Sequence, residues 1–91
     1  ASCRSSGVLT ASSLVFNGQC KLISIHAAYT GTTGVTTVKV FDNNAASGKE
    51  LARIVLSANK TIEFDMHGVI CSNGLFFEED AGSVAVSIEF A

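Results

Sequence analysis

The sequence predicts an all-β chain, a single-domain two-layer antiparallel β-sandwich of about seven or eight strands. Two patterns carry this expectation. Apolar and polar residues alternate with period two along most of the chain, which is the signature of strands with one buried face. Turn-forming residues interrupt that alternation at intervals of about 8–15 residues. The length of 91 residues allows one core and leaves no room for a second.

Residues 1–6 are small and polar with no partner run, so they read as a flexible arm ahead of a domain over 7–91. The first strand signal is short, over residues 8–10. Residues 21–30 alternate clearly, with Ile23, Ile25, Ala27 and Tyr29 on the core side and Ser24, His26, Ala28 and Thr30 on the other. Val38 and Val40 face inward within 35–42, and Ile54 and Leu56 do so within 51–57. Over 60–66 the inward set is Ile62, Phe64 and Met66, set against Thr61, Glu63 and Asp65. Leu75 and Phe77 form a short inward pair. The closing strand, 83–90, places Val84, Val86, Ile88 and Phe90 inside. The predicted core is therefore Ile23, Ile25, Val38, Val40, Ile54, Ile62, Phe64, Leu75, Phe77, Val84, Val86 and Ile88.

Asn17-Gly18, residues 57–59, His67-Gly68, Asn73-Gly74 and Ala81-Gly82 supply residues that tolerate positive φ and are expected as turns. Longer loops are expected at 31–34 and 42–50. Residues 45–56 contain helix-forming side chains, but Gly48 and the β-branched run after Arg53 limit any helix to one turn near Ala45.

Composition narrows the classes of function. The chain is 47% hydrophobic and only 15% charged, against a usual charged share of about 25%. Such a surface resists association poorly, which suits a subunit better than a free monomer. A net charge of −2 with scattered basic residues argues against nucleic acid as a partner. No apolar run approaches the roughly 18 residues that span a bilayer, so no membrane role is expected. The first residues lack the apolar core of a secretory signal. A start at Ala1 fits removal of an initiator Met and use without export.

The acid–base inventory is thin. His26 and His67 lie in no catalytic motif, and each reads as an outward or loop residue. Nothing places a nucleophile beside a base, so the chain is expected to be no enzyme, with no catalytic residue. Cys3, Cys20 and Cys71 are too widely spaced for a structural zinc site, so no metal and no cofactor is expected. The thiols are expected reduced, with a Cys20–Cys71 or Cys3–Cys20 bridge as the alternatives. Glu78-Glu79-Asp80 reads as an acidic hairpin end; a calcium-binding tip shared with Asp42-Asn43-Asn44 is the sharper alternative. Phe41 and Phe76 have outward parity, and two aromatics on a low-charge surface mark them as candidate interface residues.

One longer pattern has a family likeness. Val38-Lys39-Val40-Phe41-Asp42-Asn43-Asn44-Ala45-Ala46-Ser47-Gly48-Lys49-Glu50-Leu51-Ala52 is followed by Cys71-Ser72-Asn73-Gly74-Leu75-Phe76-Phe77 and then by the closing strand. Together these resemble small β-sandwich virion proteins of tailed bacteriophages, notably phages of aquatic bacteria such as cyanobacteria. The likeness covers about the last two-thirds of the chain, through short motifs. It implies a non-enzymatic structural protein made in the host cytoplasm and located in the virion: a capsid decoration or cement subunit, or part of the neck or tail. It also implies partners, namely other copies of the chain and capsid or neck/tail proteins, in a homo-oligomer with a trimer favoured. The alternative is a carbohydrate-binding or host-adhesion sandwich. That reading lacks Trp and has only Tyr29, of inward parity, to stack on a sugar.

Overall fold

A computed structural model describes residues 3–31, 34–80 and 84–91, and these form strands with no helix among the described residues. In chain order the strands are β1 (Arg4–Ser5), β2 (Ser13–Asn17), β3 (Cys20–Tyr29), β4 (Val35–Asp42), β5 (Lys49–Ser57), β6 (Thr61–Cys71), β7 (Gly74–Glu79) and β8 (Val84–Phe90). They build two four-stranded sheets, ordered β1-β8-β3-β6 and β2-β7-β4-β5, with every strand pairing antiparallel. The all-β antiparallel sandwich expected from the alternation is the observed architecture. Thr32, Thr33, Ala81, Gly82 and Ser83, which fall in expected turns and at the start of the last strand, lie outside the described residues, as do Ala1 and Ser2.

The core lies between the sheets. Leu22, Ile25, Val38, Val40, Leu56, Leu75, Phe77, Val86 and Ile88 are fully buried, with Ala27, Tyr29, Ile54, Val84 and Phe90 nearly so. Each large apolar side chain buried there contributes about 1.5–3 kcal/mol. Parity was the basis for Ile25, Val38, Val40, Ile54, Leu75, Phe77, Val84, Val86 and Ile88, and all nine are inside.

Three predicted core residues differ, each for a physical reason. Ile23 is half-buried and stands off the core, because β3 carries it as an extra residue: Leu22 opposes Phe90 while Ser24 opposes the adjacent Glu89. A bulge of this kind flips the parity of the strand beyond it. Cys20 and Leu22 therefore face inward before the bulge, and Ile25, Ala27 and Tyr29 do so after it. Ile62 is half-buried, packed against the core, and Phe64 is 41% exposed. Both oppose core residues, Ala27 and Ile25, and so share the inner face. They sit on β6, however, the outermost strand of its sheet, where cover from one side is missing.

Strand β6 also runs through the turn expected at His67-Gly68. Its register with β3 jumps from Asp65 opposite Ser24 to Val69 opposite Leu22, so three residues of β6 oppose Ile23 alone. His67 (φ 56°) and Gly68 (φ 79°) take the left-handed region there. Asp65 Oδ1 accepts the His67 N–H at 2.9 Å and steadies the kink.

The expected free arm over 1–6 is tied down from Arg4 onward. Arg4 and Ser5 pair with Phe90 and Glu89, the Ser6 N–H donates to the Ile88 carbonyl at 2.8 Å, and the Ile88 N–H donates to Ser6 Oγ at 2.8 Å. The strand signal at 8–10 is a single bridge, Leu9 to Val86. Residues 43–46 bend without completing the helical turn allowed near Ala45.

Both ends of β4 are pinned by carboxylates. At its start, Thr36 Oγ1 and the Thr37 N–H donate to Asp80 Oδ1 at 2.7 and 3.0 Å. At its end, buried Asp42 accepts the Asn73 N–H at 2.9 Å and is also bonded by the Ser72 and Gly74 amides. That carboxylate holds the β6–β7 turn closed. Gly74 is required in it: at φ 153°, a Cβ would stand 2.8 Å from the Asn43 carbonyl oxygen and 3.0 Å from that of Phe16.

Candidate functional site

The outer face of the β2-β7-β4-β5 sheet carries the two aromatics marked as interface candidates. Directly opposed residues share a face, and Leu14, Phe76 and Phe41 form one row across β2, β7 and β4. Phe41 does not project into solvent as expected; it is 8% exposed. The reason is its place on an interior strand, with Phe76 opposite on one side and Glu50 on the other. Phe76 is half-buried, and Leu14 at the sheet margin is 43% exposed. Beside this row runs a charged one, with Lys39 Nζ 3.8 Å from Glu78 and Arg53 paired bidentately to Glu50 at 2.7 and 2.9 Å. Beyond it Val35 and Val55 stand 63% and 60% exposed.

On the outer face of the other sheet, three strands bring together a histidine, a serine and two carboxylates. His26 on β3 is flanked by Glu63 on β6, 2.9 Å from Nδ1, and Glu89 on β8, 3.3 Å from Nε2. Ser24 Oγ donates to Glu89 Oε1 and lies 3.5 Å from His26 Nε2. The Ser24 hydroxyl, then His26, hold the Glu89 carboxyl below its ordinary range.

Serine, histidine and glutamate in contact suggest a hydrolytic triad, but the geometry serves another purpose. The serine proton is committed to Glu89, and 3.5 Å is too long for an activating hydrogen bond to the imidazole. Ser24 itself is paired on both sides of β3, opposite Asp65 and Glu89, whereas an oxyanion needs free donors beside the nucleophile. The arrangement is a clasp of one imidazole between two carboxylates across β6, β3 and β8.

The remaining candidates are separate from one another. His67 is exposed, its Nδ1 3.6 Å from Asp65. The acidic stretch 78–80 is used within the fold: Glu78 faces Lys39, the Glu79 N–H donates to Ser12 Oγ at 3.0 Å, and Asp80 holds the start of β4. Asp42 stands at the other end of β4, about 20 Å away at 3.3 Å per residue, so the two loops form no shared calcium tip. No group of three or more His, Cys, Asp or Glu side chains is placed to hold a metal ion among the described residues. Cys3 is exposed, while Cys20 and Cys71 are buried and directly opposed on β3 and β6.

The clasp was not visible in the sequence as a unit, and the cysteine pair was visible only as one of two alternative bridges. His26, Glu63 and Glu89 each had outward parity, but their meeting depends on a register between strands about 25–65 residues apart, which alternation alone does not fix. No protein-family model, no curated protein and no solved structure matches the chain.

Proposed function

We propose that the chain is a non-enzymatic structural subunit that associates with further copies of itself, and that it serves as a capsid decoration or cement subunit of a tailed phage. The observation that carries the reading is the open side formed by β5 and β6. Each is the last strand of its sheet, and residues 58–60 alone link one edge to the other. Over Lys49–Ser57 and Thr61–Cys71 their outer backbone groups have no strand beside them among the described residues. Long edges of this kind are templates for another chain unless blunted.

Three of the six large apolar side chains exposed among the described residues lie on these two strands, and Val8, Leu14 and Val35 lie elsewhere. Val55, Phe64 and Ile70 belong to these two strands and are 60%, 41% and 59% exposed. The edges also differ in net charge, with Lys49, Glu50 and Arg53 on β5 against Glu63 and Asp65 on β6. One copy's β5 therefore complements another's β6, a heterologous contact that closes into a ring when the rotation allows. The low-charge composition supports the same reading, and the phage assignment rests on the likeness of residues 38–52 and 71–77 to virion sandwiches.

The assignment to a particle is tested by co-sedimentation with purified expanded capsids of tailed phages, including phages of cyanobacteria. Stoichiometric, saturable binding is expected. Absence of binding to every capsid and tail preparation would overturn the virion role and leave self-association to be judged separately.

A further inference from the structure

We propose that Cys20 and Cys71 form a dithiol that closes to a disulfide, stapling the edge strand β6 to the interior strand β3. The two residues are direct partners in the β3–β6 register. Opposed residues of an antiparallel pair have Cα atoms about 4.5–5.5 Å apart, within the span a disulfide bridges. Their side chains emerge on the same face, both inside the core at 6% and 0% exposure, close enough for each thiol to act on the other's pKa. The Cys71 thiol also donates to the Val69 carbonyl at 3.7 Å. Closing the bond needs no strand to move past another.

The position of the pair indicates what the bond would do. The kink at Met66, His67 and Gly68 divides the β3–β6 ladder, and only Cys20–Cys71, Lys21–Ile70 and Leu22–Val69 lie beyond it. This three-pair segment leads into the turn held by Asp42. A covalent link at its end clamps the weakest-paired stretch of the open edge and closes a loop that contains β4 and β5.

Access favours Cys20 as the first to react. It lines an open hollow of about 370 Å³ with Gln19, Lys21, Ile70 and Ala91. Burial raises both thiols, Cys71 up to about 12, so the pair persists reduced until an oxidant reaches it. With a low-molecular-weight disulfide as oxidant, the Cys20 sulfur attacks one of its sulfurs and releases the first small thiol. The Cys71 sulfur then attacks Cys20 Sγ in the mixed disulfide and releases the second. The two protein thiol protons end on the two small thiols, and the protein is oxidised by two electrons.

Oxidised glutathione is the probe, applied to Cys3→Ser protein both folded and during refolding from urea. The second arm removes any limit from access. Loss of two hydrogens in intact mass, a Cys20–Cys71 peptide after digestion, and a Tm raised by about 10 °C or more over the reduced protein are expected. Cys71→Ser should retain only a mixed disulfide or a free thiol. Refolded protein that keeps both thiols in excess oxidised glutathione, or whose bridged form melts no higher than the reduced one, would overturn the staple.

Discussion

Asp42 shows how one buried charge organises a neighbourhood. Its carboxylate collects the amides of residues 72–74, and the Asn73 amide is the main reason its pKa falls below the ordinary value. Replacing it with Asn keeps the shape but loses the charge-assisted bonds, a cost of about 1–3 kcal/mol in urea denaturation. Asp80 is lowered in the same direction by the Thr37 amide and the Thr36 hydroxyl. A carboxylate depressed in the folded state stabilises fully above its unfolded value and loses that contribution as pH falls through its folded value. The urea midpoint of the wild type should therefore hold between about pH 7 and 5 and decline below about 4. The gap between wild type and Asp42→Asn should narrow over that decline. A gap independent of pH would mean that the charge contributes nothing. None of this was legible in the sequence, where Asp42 read as the junction of a strand and a loop and as a candidate for a calcium tip, because its partners lie about 30 residues further along.

At the scale of the element, alternation was a sound guide wherever a strand has neighbours on both sides and an unbroken ladder. Strands β4, β7 and β8 meet the first condition, and their inward residues are buried. The reading failed at the irregularities. On β3 the pattern Ile23, Ile25, Ala27 continues smoothly through a bulge that sets Ile23 aside, and only the inward pair Cys20 and Leu22 betrays the change of parity. Strand β2 went unread because its bulge at Val15 puts Val15 and Phe16 both against the core. On β6 parity was correct and burial was not, since burial depends on what lies beyond the strand. Phe77 and Phe64 isolate that distinction. Phe77→Ala should cost about 3–5 kcal/mol, and Phe64→Ala about 1 kcal/mol or less, by chemical denaturation at low protein concentration. Equal losses would place Phe64 within the core of the single chain.

For the whole molecule, a small core and a sparsely charged surface make one argument with the open β5–β6 side. A domain of this size buries only about 60–65% of its unfolded surface, so joining edges supplies contacts that a lone copy lacks. The clasp at His26 ties β6 to β3 and β8, which keeps that edge extended. The fold class could be read from the sequence because alternation is local. The side proposed to associate could not, because it depends on which strands end each sheet. Two aromatics were therefore favoured, of which Phe41 is enclosed by its own neighbours. The central claim is self-association through β5 and β6, and native mass spectrometry tests it most directly. Wild type should show a discrete multimer of the chain, and Val55→Asp with Phe64→Asp should shift it to monomer with its β-sheet circular dichroism unchanged. A wild type that stays monomeric at high concentration, or a multimer indifferent to both substitutions, would contradict the account.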